Sequence, residues 1–147
     1  MKQLELKHWL AYAPYHPMVY GGSDLSTLIS AIPYDSDETE EIEIFLRHPI
    51  YGRISASSVE HSLVLHPLSD LTKEVEVNGE KFVPMEYFYK IACPNNTTYD
   101  EFVSMNIRQF MNPLIKLKHF FVAKLIEWRF DVFSLIPNGL AIDINTL

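Results

Sequence analysis

The chain has 147 residues, the commonest size for one domain and enough to bury a core without disulfide or metal cross-links. Its single cysteine, Cys93, excludes an intrachain disulfide, and its net charge of −7 opposes direct binding to the phosphate backbone of nucleic acids. The longest mainly apolar stretch, residues 120–126, contains Lys124 and is far too short to span a bilayer. The first residues break every apolar run with charge, so we expect no signal peptide and a cytoplasmic location.

The first half of the chain is predicted to form short strands after one helix. Residues 4–12 have the apolar spacing of a short amphipathic helix, which Pro14 and Pro17 end. A single helical turn is expected at residues 57–60. Apolar runs predict five strands, over residues 18–20, 25–33, 41–47, 53–55 and 63–65.

Residues 75–83 carry the clearest local signal in the chain. Asn78-Gly79 supplies the two residues with positive φ that a type I′ turn needs, and β-prone residues lie on both sides of it. We therefore expect a hairpin in this segment.

Helical patterns replace strands after about residue 93. Thr98 and Glu101 fit a capping box, in which each side chain binds the backbone N–H of the other residue. Apolar residues at helical spacing follow this box. Asn112 and Pro113 then have the residue types of a cap and first position of another helix.

One long apolar stripe marks the last predicted helix. Its apolar residues recur at steps of three and four over residues 114–132, and Pro137-Asn138-Gly139 is expected to stop the helix. Residues 140–144 alternate in polarity and predict a last strand.

Strands first and helices second are typical of the α+β class. We expect a single domain over residues 1–147, with a β-rich part at 1–93 and a helical part at 94–147. Four or five short strands within residues 18–83 could close into a small SH3-like barrel.

The negative charge is concentrated in the β-rich part. Residues 1–90 carry seven Lys/Arg against fourteen Asp/Glu, whereas residues 91–147 carry five of each. Six carboxylates lie within residues 35–43, here called the acidic segment: Asp35, Asp37, Glu38, Glu40, Glu41 and Glu43. The acidic segment is either a solvated loop that keeps the protein soluble or a docking patch for a basic protein surface.

Residue patterns favour a protein without catalytic, metal or cofactor chemistry. The chain has no Gly-x-Ser-x-Gly elbow, and its five glycines form no phosphate-binding loop. His61 and His66 are five residues apart, which in a strand places them on opposite faces and opposes a shared zinc ion. We therefore expect no enzyme, no metal and no cofactor.

Basic residues interleave with aromatic residues in the helical part, which leaves a nucleic-acid face open as an alternative. Lys116, Lys124 and Glu127 fall on the expected solvent side of the long helix, so a mixed exposed face is the simpler interpretation. The basic set comprises Arg108, Lys116, Lys118, His119, Lys124 and Arg129.

Three blocks of the chain resemble small uncharacterised proteins encoded by phages and prophages of gut-type anaerobic bacteria. The blocks are residues 6–15 (LKHWLAYAPY), 66–84 (HPLSDLTKEVEVNGEKFVP) and 124–145 (KLIEWRFDVFSLIPNGLAIDIN), which lie in the same order in both. The chain departs from that family at residues 16–18 and 34–60. The family implies no functional residue. A phage origin implies an accessory protein that binds a host protein. Inhibitors of host defence nucleases, such as anti-CRISPR proteins, are a large class of such accessory proteins.

Charge and resemblance together predict a non-enzymatic phage accessory protein that binds a basic host protein in the host cytoplasm. An inhibitor of a host defence nuclease, such as a CRISPR effector, would match this description, with the six carboxylates as its partner-binding residues. Two alternatives remain open: a small nucleic-acid-binding module, and a phage structural or assembly factor.

Overall fold

A six-stranded open sheet is the central element of the computed structural model, which describes residues 4–21, 24–33, 42–92, 97–111 and 119–147. The described strands are β1 (Met18–Gly21), β2 (Asp24–Pro33), β3 (Ile42–His48), β4 (Gly52–Ser57), β5 (His61–Leu65), β6 (Val75–Val77), β7 (Glu80–Phe82) and β8 (Ala141–Asp143). The sheet has the order β4-β3-β2-β1-β5-β8, and its pairs are antiparallel except for β5 with β8. A separate two-stranded hairpin pairs β6 with β7.

Three of the four described helices follow the hairpin, which confirms a mixed α+β fold with helices mostly toward the C-terminus. In the part of the chain that the structure describes, no helix combines the length and apolar character needed to cross a membrane. The helices are α1 (Leu6–Tyr12), α2 (Pro84–Ala92), α3 (Tyr99–Met111) and α4 (His119–Glu127).

The expected SH3-like barrel is not confirmed, because the described strands form no closed barrel. β4 and β8 lie at the two ends of the strand order. β8 comes from the end of the chain and pairs in parallel with β5, so it extends the sheet instead of closing it. The hairpin strands β6 and β7 form a separate two-stranded sheet.

Local turn and cap signals are confirmed. Asn78 and Gly79 have φ values of 53° and 81°, as a type I′ turn requires. The backbone N–H of Thr98 donates to Glu101 Oε2 and that of Glu101 to Thr98 Oγ1, both at 3.3 Å. The predicted start at Asn112 and Pro113 lies outside the described residues.

The prediction that the last helix continues to Val132 is wrong. α4 ends at Glu127, and Arg129 follows with φ 64°. Phe130 instead forms an isolated parallel β-bridge with His66. The Tyr12 hydroxyl donates a hydrogen bond to the Phe130 carbonyl oxygen. The apolar pattern in the sequence continues past the end of α4 because the irregular segment that follows also buries apolar side chains, such as Trp128 and Phe130. The spacing of these buried residues resembles that of a helix, although the backbone is not helical.

The buried apolar side chains form two clusters. The sheet core lies between α1 and one side of the sheet, and it includes Trp9, Tyr12, Val19, Leu28, Ile44, Leu46, Leu63 and Leu65. The helical core lies among the hairpin and the C-terminal helices, and it includes Leu71, Val77, Met85, Phe88, Phe102, Leu125, Trp128 and Phe130.

Candidate functional site

Five of the six predicted partner-binding carboxylates lie outside the described residues: Asp35, Asp37, Glu38, Glu40 and Glu41. The sixth, Glu43, is half-buried on β3, where it pairs in register with Ile32 of β2 and Ser57 of β4. The acidic docking patch therefore stays a prediction.

The sheet has an inner face against α1 and an outer face on the opposite side. On β3 the inner residues Ile42, Ile44 and Leu46 are buried and alternate with Glu43, Phe45 and Arg47 on the outer face. Register extends the outer face across the neighbouring strands. Its members on β1, β2 and β4 include Met18, Tyr20, Leu25, Thr27, Ser30, Ile32, Arg53, Ser55 and Ser57.

The outer face carries exposed apolar side chains among its polar residues. Such a side normally carries polar residues in alternation with the core. Here Tyr20, Leu25 and Ile32 are each 36–44% exposed, and Phe45 is half-buried between Ser30 and Ser55. Tyr20 and Leu25 lie directly opposite each other on β1 and β2, and exposed apolar side chains grouped in this way are typical of an interaction site.

A β-bulge shapes the first of two hollows on this face. The β2–β3 register shifts between Leu28 and Ser30, which leaves Ile29 without a partner residue. Ile29, Phe45 and Arg53 are among the residues that line a hollow of about 460 Å³, here called the Phe45 hollow.

The second hollow lies toward β1. It has a volume of about 210 Å³ and is called the Thr27 hollow. Met18, Leu25, Thr27, Arg47 and Pro49 contribute to its lining. Each hollow therefore combines apolar side chains with one arginine.

Arg47 and Arg53 lie directly opposite each other on β3 and β4. Both are exposed. Neither guanidinium forms an ion pair or side-chain hydrogen bond within the described part of the chain. No local pattern in the sequence marks this pair, because only the register between β3 and β4 brings the two residues together.

His48 holds the turn that joins β3 and β4. Its Nδ1 accepts hydrogen bonds from the backbone N–H groups of Ile50 and Tyr51, at 3.1 and 3.2 Å. Nδ1 is therefore unprotonated, and Nε2 carries the hydrogen that points to Asp24 Oδ2 at 3.2 Å. The turn displays Ile50 and Tyr51 with 79% and 74% exposure, next to the Thr27 hollow at Pro49.

A second histidine forms a buried polar cluster between β5 and the C-terminus. His66 Nδ1 lies 3.7 Å from Asp70 Oδ2, which accepts a 2.7 Å hydrogen bond from the Asn145 side chain. The side chains of His66 and Asp70 are only 10% and 5% exposed, and burial lowers the pKa of His66. The Asn145 side chain thereby ties the exposed C-terminal residues to the buried Asp70.

Three further histidines bind backbone groups. His8 Nδ1 accepts from the Glu5 N–H, while ring nitrogens of His16 and His61 lie at 3.1 and 2.9 Å from the carbonyl oxygens of Leu28 and Ser57. Among the described residues, no three His, Cys, Asp or Glu side chains are grouped as metal ligands would be.

The basic residues of the C-terminal part do not form a common exposed face where they are described. Lys124 Nζ lies 3.0 Å from Glu127 Oε2 and over the Trp128 ring. Arg129 donates to the Tyr15 carbonyl oxygen at 2.8 and 3.0 Å and to Asn78 Oδ1 at 2.9 Å. His119 is exposed, whereas the side chain of Arg108 and all of Lys116 and Lys118 lie outside the described residues.

No protein-family model, curated protein or solved structure matches this chain in comparisons with known proteins. The resemblance to phage-encoded proteins therefore stays a prediction. Function is inferred from the surface itself, because a fold alone does not define what a protein does.

Proposed function

We propose that the chain is a non-enzymatic binding protein that docks onto another protein through the outer face of its sheet. The observation that carries this proposal is the presence of exposed apolar side chains on that face, where Tyr20, Leu25 and Ile32 are more than a third exposed. Apolar and aromatic residues mixed with arginine are the composition of the centre of protein interfaces.

The partner we propose is a host protein with a basic surface, such as a defence nuclease inhibited by a phage accessory protein. The net charge of −7 supports a basic partner, because opposite charges speed association and suppress wrong complexes. A surface that holds nucleic acid is basic, so a nuclease meets this condition. The proposed site of action is the host cytoplasm.

A nucleic-acid-binding module remains the second candidate, but its expected basic face receives less support. Lys124 is paired with Glu127, and Arg129 is bound to Tyr15 and Asn78, so neither is free to contact phosphates. Binding to nucleic acid would also have to overcome the repulsion between the phosphates and the negative chain.

Capture from host lysate with matched variants tests the docking proposal. Tyr20→Gln combined with Ile32→Gln removes apolar surface from the outer face without changing the charge. We expect affinity for the captured protein to fall at least about tenfold, or about 1.4 kcal/mol. Met105→Gln is the control, since Met105 is 68% exposed on α3 and is not part of the sheet.

Equal affinity of the double variant and the wild-type protein would refute docking through the outer face. Failure of the wild-type protein to capture any specific protein, at both low and physiological salt, would refute the proposed function itself.

A further inference from the structure

The two arginines of the outer face form an unusual pair. Residues directly opposite on antiparallel strands have Cβ atoms about 4.5–5.5 Å apart, and like charges in such positions destabilise a sheet. Arg47 and Arg53 occupy these positions, and neither is neutralised by a carboxylate within the described part of the chain. A carboxylate bound between them would replace this repulsion with charge-assisted hydrogen bonds.

Each arginine of this pair lines one of the two described hollows. Arg53 lines the Phe45 hollow together with Ile29 and Phe45. Arg47 lines the Thr27 hollow together with Met18 and Leu25. The positive pair thus borders two hollows that also offer apolar side chains.

We infer that the outer face binds an acidic peptide segment of a partner protein, with apolar side chains on both sides of a central carboxylate. In an extended peptide, alternate side chains point to the same side and lie about 7 Å apart. A sequence of the type Leu-x-Glu-x-Leu therefore presents one carboxylate to Arg47 and Arg53 and one apolar side chain to each hollow. This inference rests on the proposed docking face and adds the chemistry that the face selects.

The peptide that this face binds is negatively charged, whereas the acidic segment predicts a positively charged partner surface. The two predictions concern different surfaces, so one partner with an acidic-apolar segment beside a basic region satisfies both. Single-stranded nucleic acid fits this face less well. Only the two arginines would attract its many phosphates, whereas the net charge of −7 on the chain repels them.

Titration of the full-length isotope-labelled protein with blocked peptides tests this inference by NMR. The probe is acetyl-Leu-Ser-Glu-Ser-Leu-amide, and the matched controls replace Glu with Gln or both Leu residues with Ala. We expect the Glu peptide to shift the signals of Phe45, Arg47 and Arg53, and both controls to bind at least about tenfold more weakly.

Arginine variants separate binding from stability. Arg47→Gln and Arg53→Gln are expected to weaken the Glu peptide at least about tenfold while leaving the melting temperature equal or higher, since each removes a like-charge contact. Lys81→Gln is the matched control, because Lys81 is an exposed cation on β7, outside the sheet, and its loss should not change peptide affinity. A double Arg47→Glu and Arg53→Glu variant should prefer the corresponding Lys peptide.

Equal binding of the Glu and Gln peptides would overturn the inference, as would unchanged affinity in the arginine variants. Binding of oligo-dT to the same residues, with loss in the same variants and no binding of the Glu peptide, would assign the face to nucleic acid. If the Glu peptide fails to bind but the Tyr20 and Ile32 variants still lose their captured protein, this inference is wrong and the proposed function stands.

Discussion

Most histidine side chains of this protein form hydrogen bonds with backbone groups. His48 shows how much such a role depends on a single tautomer, because its Nδ1 accepts from two backbone N–H groups of the turn that displays Ile50 and Tyr51. Loss of this ring would leave both N–H groups without their acceptor. The shape of the outer face near the Thr27 hollow therefore depends on the His48 side chain.

His66 should make the stability of the protein depend on pH. Burial lowers the pKa of His66 in the folded protein, although Asp70 acts in the opposite direction. The unfolded chain then binds a proton more readily than the folded one, so the free energy of unfolding falls as the pH drops below about 6.5. The fall ends once the pH is below the pKa of His66 in the folded state.

Urea denaturation between pH 7.5 and pH 5 measures this contribution. We expect His66→Gln to have a shallower pH dependence than the wild-type protein in this range, with a difference of at most about 1.4 kcal/mol per pH unit. Met105→Gln, which changes an exposed side chain that does not titrate, should keep the wild-type slope. Identical slopes for His66→Gln and the wild-type protein would show that His66 takes up its proton equally in both states.

At the scale of elements, local signals predicted the strands and the turns well. The alternation over residues 41–47 corresponds to β3, and the Asn78-Gly79 turn has the expected positive φ values. These features depend on a few neighbouring residues. The open sheet was not predictable in the same way, because the parallel pairing of β8 with β5 joins residues almost eighty positions apart.

The candidate site was harder to predict than the elements. Arg47 and Arg53 are six residues apart, and only the β3–β4 register places them opposite each other. Ile29 lines the Phe45 hollow through a bulge that no local pattern in the sequence indicates. The acidic segment had a strong sequence signal, yet five of its six carboxylates lie outside the described residues.

Asp131 should be essential for the segment that replaces the end of the predicted helix. Its carboxylate, only 3% exposed, accepts hydrogen bonds from the backbone N–H groups of Leu135 and Ile136, both at 2.8 Å. Asp131→Ala leaves these donors without their acceptor, which should lower the free energy of unfolding by about 3 kcal/mol. Chemical denaturation measures this loss.

Asp131→Asn is the matched comparison, because its amide keeps one acceptor oxygen and nearly the same volume. We expect it to lose less stability than the Ala variant. A loss below about 0.5 kcal/mol for Asp131→Ala would mean that the segment holds its conformation by apolar packing alone, since that is the usual effect of a surface substitution.

At the scale of the whole molecule, direct contacts join the sheet core to the segment that follows α4. The Tyr12 hydroxyl donates to the Phe130 carbonyl oxygen, and Arg129 donates to the carbonyl oxygen of Tyr15. The C-terminal strand β8 completes the edge of the sheet beside β5. Unfolding of one cluster would break these contacts and expose buried surface of the other, so we expect the two clusters to unfold together.

The two tryptophans of the chain report on the two clusters separately. Trp9 lies in the sheet core and Trp128 in the helical core. Trp128→Phe leaves Trp9 as the sole fluorescent indole, and Trp9→Phe leaves Trp128. In each variant, we expect the urea midpoint from tryptophan fluorescence to coincide with that from far-UV circular dichroism, as a single cooperative domain requires.

The comparison within each variant removes the effect of the substitution on stability, because both probes follow the same protein. If the Trp9 signal changed at one urea concentration and the Trp128 signal at another, the chain would contain two units that unfold independently. The contacts of Tyr12 and Arg129 would then hold two separately stable units together. Coincident midpoints would mean that a partner docked on the outer face also stabilises the distant helical core, since ligands that bind only the folded state stabilise the whole cooperative unit.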